Sequence, residues 1–158
     1  MGYVKNSFQS RWITDKIETA TVEWAKEFGA FLATYGGNYQ EERQGKTDNQ
    51  FSKEKELSTT QLRKFFGQLK RLQAEVQVAG DYSHQHKVKM MMLAPQLAYA
   101  VGRNKKRLGR NLVDTTKVGH FYDEITEMLK SVDEEKHFNN FVNIIEAVVA
   151  YHKFKGGE

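Results

Sequence analysis

Residues 58–80 read STTQLRKFFGQLKRLQAEVQVAG and carry the signals of a complete amphipathic helix. Ser58 and Gln61 match a capping box, in which the serine hydroxyl accepts the amide of the fourth residue and that residue's side chain reaches back. Apolar residues then recur at three- and four-residue spacing, which places them on one helical face: Leu62, Phe65, Phe66, Leu69, Leu72 and Val76. Gly80 supplies the residue type that commonly ends a helix. The stretch therefore predicts one helix from start to stop.

Helical spacing extends to both sides of this stretch. Before it, one apolar face ends at Gly36-Gly37 and holds Ile13, Ile17, Ala20, Trp24, Phe28 and Phe31. After it, a further stripe requires the chain to stay helical across Gly102, and it holds Met90, Leu93, Leu97, Val101 and Leu108. Pro95 is expected to open or kink that helix, because the residue before a proline is pushed out of helical geometry.

Two more helices are predicted near the end of the sequence. The first has an apolar face made of Val118, Phe121, Tyr122, Ile125, Met128, Leu129 and Val132, with Asp123, Glu124 and Glu127 on its polar face. The second begins near residues 133–135, ends at Gly156-Gly157, and has an apolar face made of Phe138, Phe141, Val142, Ile145, Val148, Val149 and His152. The sequence therefore predicts an all-α, single-domain bundle of about five helices over residues 1–158.

Composition narrows the class of protein. The 158 residues fit one domain. The absence of cysteine excludes a disulfide scaffold, a cysteine zinc site and a thiol nucleophile, and it suits the cytoplasm, where we expect the protein. No apolar run approaches the roughly 20 residues of a membrane span. Residues 38–56 are polar and are expected to form a long loop, mobile together with residues 1–10.

Positive charge is concentrated in one part of the chain. Residues 84–113 contain seven Lys or Arg and no Asp or Glu, although the net charge of the chain is only +4. The remaining residues therefore sum to −3. Such an excess predicts a polyanionic partner.

Two helical faces are candidates for binding that partner. On a continuous helix, Tyr99, Arg103, Lys106 and Arg110 would lie within about 60° of one another. Such a row of cations can follow a phosphate backbone, and a tyrosine can stack on a base. The other interpretation, weighed equally, is that these charges only keep a bundle soluble.

The second candidate face belongs to the helix of residues 58–80. Its basic residues Arg63, Lys70 and Arg71 stand beside Gly67 and Ala74. Small side chains allow another backbone to come close. That backbone could belong to a nucleic-acid strand or to a neighbouring helix.

No catalytic constellation is visible in the sequence. His84 and His86 could form half of a metal site, but no carboxylate follows them within 25 residues, so a solvated turn is favoured. His152 lies on an apolar face, where a packed histidine is expected. The chain has neither a phosphate-binding loop of the Walker type nor a nucleophile elbow. We therefore predict no enzyme activity, no catalytic residue, no metal and no cofactor.

Three blocks together resemble the small-subunit family of type III-A CRISPR (Csm) effector complexes. Residues 57–66 resemble the helix opening of that family, Ser/Thr-Thr-x-Leu/Ile-Arg-Lys. Residues 93–103 are similar to its Leu-x-Pro-x-Leu-Ala-Tyr-Ala-x-x-Arg helix. Residues 138–157 are similar to its C-terminal helix, here with Asn140-Phe141 and residues 146–153 before a glycine pair. The blocks occur in the family's order.

The resemblance implies a non-catalytic helical subunit of an antiviral ribonucleoprotein. Several copies would stack head to tail and line the channel that holds the guide RNA–target RNA duplex, beside the backbone and large subunits, which carry the enzymatic activities. Acidic helices at the C-terminal end would offer a stacking surface for a basic face. Arg63 and Arg103 are expected RNA contacts because they lie in the matched motifs, whereas Lys70, Arg71, Lys106 and Arg110 are expected from helical facing alone. Tyr99 is either an RNA contact or a core residue.

Other functions stay open beside this one. A regulator of DNA would need a helix-turn-helix with a short turn, and none is evident around the basic helix. A small subunit of the type III-B kind would share the same features. A small metal-dependent nuclease would have to use His84 and His86.

Overall fold

The structure is a computed structural model that describes residues 2–36, 39–41, 46–48 and 54–156. Its helices are α1 (Arg11–Thr14), α2 (Thr19–Leu32), α3 (Thr59–Ala79), α4 (His84–Met91), α5 (Leu93–Arg103), α6 (Val118–Leu129) and α7 (Glu135–Phe154). Its strands are β1 (Val4–Lys5), β2 (Tyr39–Glu41), β3 (Lys46–Asp48), β4 (Lys105–Leu108) and β5 (Asn111–Asp114). The predicted helical bundle is confirmed, and two small sheets are added to it.

Helix α7 is the centre of the core. It packs against α1, α2 and α3, and its buried face holds Phe138, Phe141, Val142, Ile144, Ile145, Val148 and His152. The predicted burial of His152 is confirmed, since its side chain is fully buried and its Nε2 lies 2.6 Å from the carbonyl oxygen of Leu57. This contact ties the C-terminal end of α7 to the segment that precedes α3.

Helix α3 begins and ends where the sequence predicts. The Ser58 hydroxyl accepts the Gln61 amide at 3.2 Å, and Gly80 at the other end has a φ of 79°. The reciprocal half of the capping box differs from the prediction, because the Ser58 hydroxyl donates to Gln61 Oε1 at 3.5 Å. One exposed face and one buried face result, as the apolar spacing indicated.

The first predicted helix is divided in two. The chain leaves helical geometry at Asp15 and re-enters at α2, where Glu18 and Thr21 form a reciprocal capping box. The Glu18 side chain accepts the Thr21 amide, and the Thr21 hydroxyl accepts the Glu18 amide. These two hydrogen bonds begin a new helix at α2, although the apolar spacing of the sequence is continuous. Gly36, with a φ of 64°, lies beyond the end of α2, and Gly37 lies outside the described residues.

The segment of residues 38–56, predicted to be a long polar loop, contains two short strands. Strand β2 pairs in parallel with β1 and antiparallel with β3, and Glu54 is buried. Backbone pairing therefore organises a stretch that has little apolar surface to bury. Residues 38, 42–45 and 49–53 lie outside the described residues, and the mobility expected of residues 1–10 and 38–56 stays a prediction.

The chain stays helical across Gly102 but not as far as Lys106 and Arg110, which the predicted basic face required. Helix α5 ends at Arg103, where the Asn104 side chain donates to the Ala100 carbonyl oxygen at 2.7 Å and replaces the next helical turn. The chain then forms the β4–β5 hairpin, with Lys105 opposite Asp114 and Leu108 opposite Asn111. Upstream, His84 and His86 begin helix α4 instead of forming a solvated turn.

One acidic residue predicted to be polar and exposed is in fact buried. Glu124 is only 7% exposed, and the Tyr3 hydroxyl donates to its Oε1. Its neighbours Asp123 and Glu127 are exposed, as the helical facing predicted. Glu124 therefore belongs to a buried polar contact between the N-terminal segment and α6.

Candidate nucleic-acid interface

The exposed face of α3 forms a ridge of four cations. Burial of Leu62, Phe65, Leu69, Leu72 and Val76 turns the opposite side of the helix to solvent. That side carries Arg63, Lys64, Lys70 and Arg71, all exposed, and we call them the α3 ridge. At about 100° per residue, Arg63 and Lys70 lie toward one edge of the ridge and Lys64 and Arg71 toward the other.

The middle of the α3 ridge is open. A Cβ built on Gly67 would have no atom within 4 Å, and Ala74 is exposed on the same side. The neighbouring helix that these small residues could have admitted is therefore not part of this chain, as far as the described residues extend. A binding partner can therefore approach the α3 ridge.

The cations of the α3 ridge are not neutralised within the described part of the chain. No ion pair there involves any of its four members, and the nearby carboxylate of Glu75 is bound by Lys89 at 2.9 Å. That pairing holds the pKa of Glu75 below its ordinary value. Lys70 Nζ lies 5.9 Å from the ring centroid of Phe66, which fixes the charge above an apolar surface and leaves it exposed.

The end of α5 contributes an aromatic residue and a cation. Tyr99 is 72% exposed, so it is not a core residue. The guanidinium carbon of Arg103 lies 5.8 Å from its ring centroid, within the range of a cation–π contact. Both planar groups are accessible to a ligand.

The β4–β5 hairpin adds a separate group of cations. Its exposed basic residues are Lys105, Lys106, Arg107 and Arg110. Gly109 has a φ of 61° and is the first of the two turn residues, the position that glycine takes in a type II′ hairpin turn. The base of the hairpin is fixed to α5, because the Thr115 amide donates to the Asn104 carbonyl oxygen at 2.8 Å.

A cleft between α3 and α5 brings some of the predicted residues together. Lys64 on α3 faces Tyr99 and Arg103 on α5 across this cleft, which we call the α3–α5 cleft. Arg63 instead borders a groove toward Val149 and Lys153 of α7. Arg71 borders a third groove, which it shares with Glu75, Lys89 and Leu93.

The six predicted RNA contacts are all exposed, but they do not form one helical face. Arg63, Lys70 and Arg71 lie on the α3 ridge, Arg103 ends α5, and Lys106 and Arg110 lie on the hairpin. The predicted alignment of Tyr99 with Lys106 and Arg110 is therefore wrong. A strand alternates its side chains between two faces, whereas the prediction assumed helical spacing.

The sequence did not single out three further cations of this surface. Lys64 faces the α3–α5 cleft, and Lys105 and Arg107 extend along β4. Lys64 belongs to the Arg-Lys pair of the matched helix opening, so that motif could have indicated Lys64 as a further cation of this surface. The signal for the hairpin was weaker: an asparagine after the helix, and a glycine between two short alternating runs.

The side chains of His86 and His120 have hydrogen-bond partners within the fold. The described residues contain no group of three or more His, Asp or Glu side chains that could hold a metal ion. His86 serves as a capping residue, since its Nδ1 lies 3.0 Å from the Ser83 backbone nitrogen. His120 Nε2 lies 2.9 Å from Glu54 Oε2 in a buried pair. No described helix has the length and apolar character needed to span a lipid bilayer.

The buried polar groups near this pair have structural partners. Lys117 donates to the carbonyl oxygens of Phe31 and Thr34 at 2.8 and 2.6 Å, at the end of α2. Burial lowers the pKa of Lys117 to about 8, although the nearby carboxylates of Glu54 and Glu56 oppose this change. Burial likewise raises the pKa of Glu124. These groups hold elements of the fold together.

Comparison with protein families places most of the chain within a family. The family model described as Csm2 Type III-A matches residues 39–158, which is more than half of the chain and includes every cation of the surface just described. No curated protein and no solved structure matches the chain.

Proposed function

The chain belongs to the Csm2 family, the small subunit of the type III-A CRISPR Csm complex, and we propose that it lines the channel for the guide RNA–target RNA duplex by contacting the phosphate backbone. The family is a structural subunit of the effector complex. We propose that this chain is likewise non-catalytic. Its partners would be the RNA duplex, further copies of itself, and the backbone and large subunits of the complex.

Backbone contact is the mode of binding that these side chains suit. In an RNA-guided complex, sequence is read by base pairing, so a lining subunit needs only contacts to phosphate and sugar. Lysine and arginine supply such contacts without base specificity. The α3 ridge consists of these two residue types and the hairpin displays them, and neither requires a particular base.

The observation that carries the proposal is the uncompensated α3 ridge inside the matched region. Its four cations are exposed, no described ion pair engages them, and the surface between them is open at Gly67. Clustered cations without neutralising acids create a local positive potential. Cations held apart from acids are suited to a polyanion.

Stacking of several copies is the second part of the proposal. The hairpin is basic, whereas the exposed faces of α6 and the start of α7 carry Asp123, Glu127 and Glu135. Part of that acidic surface is already satisfied, since Glu127 pairs with Lys130 at 3.0 Å. A head-to-tail contact is heterologous, so its length must be limited by the RNA and the other subunits.

Charge reversal in the reconstituted complex tests RNA contact. Arg63→Glu with Arg103→Glu should weaken capture of target RNA and reduce its dependence on salt, because each phosphate that is no longer neutralised removes about 0.7–0.9 from the logarithmic salt slope. Circular dichroism should stay unchanged, since both side chains are exposed. Lys16→Glu with Lys26→Glu is the matched control, two charge reversals at exposed residues outside the α3 ridge, the hairpin and the acidic faces. Unchanged capture by the double variant would contradict these sites.

The absence of catalysis is tested separately. The full chain incubated with RNA and Mg²⁺ or Zn²⁺ should leave the RNA intact. Metal-dependent cleavage that disappears in the His84→Ala, His86→Ala variant would instead establish a nuclease. Thermal unfolding of that variant must be followed in parallel, because His86 caps α4.

A further inference from the structure

We propose that the α3–α5 cleft binds a single unpaired nucleobase of the RNA, with the adjoining phosphate held by Lys64 and Arg103. This inference rests on the proposed function and adds a base site to a subunit that otherwise contacts the backbone. Three properties of the cleft support it: its size, the chemistry of its rim, and its charge.

The size of the cleft matches one aromatic ring system. Its volume is about 140 Å³, and a cavity of roughly 150 Å³ in another protein takes up one benzene molecule. The floor is apolar and consists of Leu57, Leu62, Phe65, Leu97, Val118 and Phe121. An apolar floor with an open mouth favours the edge or face of a planar ring over a fully hydrated group.

The rim supplies the groups that a base uses. Gln61 and Gln68 on α3 and Gln96 on α5 carry amides, each of which both donates and accepts hydrogen bonds. Tyr99 stands at the mouth with 72% of its surface exposed. Unpaired bases stack on such exposed aromatic rings and on guanidinium planes.

The charge of the cleft fits a nucleotide. Lys64 and Arg103 both line it, and no Asp or Glu is among its lining residues. An apolar peptide segment would not need either cation. A base with its phosphate uses the floor, the amides and both charges together, so we assign the cleft to RNA.

Three RNA duplexes that differ at one position test the assignment with the full-length chain. One is fully paired, one carries a single unpaired 2-aminopurine, and one carries an abasic residue at the same place. Fluorescence anisotropy at a fixed salt concentration gives the dissociation constants, and 2-aminopurine fluorescence reports stacking. We expect the unpaired base to bind about fivefold or more tightly than the abasic site, the lower limit of a base–aromatic stack.

Two substitutions at Tyr99 locate the effect. Tyr99→Ala should abolish the preference for the unpaired base over the abasic site, whereas Tyr99→Phe should keep the preference because stacking is retained. The exposure of Tyr99 makes either variant compatible with the fold. A preference that survives in Tyr99→Ala would overturn the assignment.

The outcomes separate this inference from the proposed function. Equal binding of all three RNAs overturns the base site alone, and binding of none overturns both. If Tyr99→Ala prevents assembly with the other Csm subunits but keeps the preference for the unpaired base, the cleft belongs to a protein contact and the inference is wrong.

Discussion

Gly29 on α2 lies so close to α7 that a Cβ at this position would be 2.7 Å from the backbone oxygen of Val148. The backbone nitrogen of His152 would be only 2.9 Å away. Both atoms belong to a helical backbone, which cannot move aside as the end of a flexible side chain can. Gly29 therefore sets the distance between the two helices that form most of the core.

We predict that Gly29→Ala destabilises the protein by about 1–3 kcal/mol, the usual cost of overpacking a core. The better helix propensity of alanine offsets less than about 1 kcal/mol of this. Urea unfolding followed by circular dichroism measures the change. Gly67→Ala is the matched control, because the site is helical, exposed and open, and it should stabilise by about 0.5–1 kcal/mol. Equal effects of the two substitutions would contradict the close approach.

His152 should make the fold sensitive to mild acid. Its Nε2 donates to the Leu57 carbonyl oxygen, and its Nδ1 is buried without a partner, so a second proton would have no acceptor. Burial is the main cause that lowers the pKa of His152. Between its ordinary pKa of 6.5 and the lower folded value, the unfolded chain binds more protons, and stability falls as pH falls.

The variant His152→Gln tests this dependence, because glutamine keeps a donor for Leu57 and cannot titrate. As pH falls from 7 to 5, the unfolding free energy of the wild type should decrease relative to that of the variant. The slope cannot exceed about 1.4 kcal/mol per pH unit for one proton. A difference that is constant with pH would show that His152 keeps its ordinary pKa in the folded state.

The sequence predicted the helices whose apolar spacing coincides with the core. Helices α3, α6 and α7 agree because their apolar periodicity coincides with their buried faces, and in α3 the Ser58 cap also marks the start. The end of α5 was missed because Lys105, Lys106 and Arg107 have side chains that suit a helix as well as a strand. What decides between them is the Asn104 side chain and its backbone, which bind Ala100 and Thr115.

The sequence predicted only part of the candidate surface. The exposure of Arg63, Lys70 and Arg71 follows from the apolar stripe on the other side of α3, and their contact with RNA stays a prediction. Lys106 and Arg110 were assigned to a helix that does not exist. The burial of Glu124 could not be predicted from the local sequence, because its hydrogen-bond partner Tyr3 is 121 positions away in the chain.

Lys117 should give a dependence of the same sign at alkaline pH. Its ammonium is fully buried at the end of α2 and lies 3.9 Å from the ring centroid of Phe31. Because the folded pKa is about 8 and the ordinary value is 10.5, the unfolded chain binds more protons between them. Stability contributed at this site therefore rises with pH from about 8 to about 10.5.

Lys117→Met removes the titrating group and keeps most of the apolar stem. Urea unfolding of both proteins at pH 7, 9 and 10 should show the wild type gaining on the variant by up to about 1.4 kcal/mol per pH unit. Parallel curves for the two proteins would mean that Lys117 keeps its ordinary pKa in the folded state.

The hairpin allows charge and geometry to be tested apart. The variant Lys106→Gln, Arg107→Gln, Arg110→Gln keeps the turn and removes three exposed cations. We expect weaker capture of target RNA by the complex and a logarithmic salt slope smaller by up to about 0.9 for each phosphate that is no longer neutralised. Gly109→Val keeps every charge but strains the turn, because a β-branched residue is disfavoured at a φ of 61°. Gly109→Val should reduce the affinity of the complex for target RNA, while the logarithmic salt slope stays near that of wild type. If the charge variant leaves both affinity and slope unchanged, the hairpin faces away from the RNA, and only the α3 ridge and Arg103 would remain as candidate contacts.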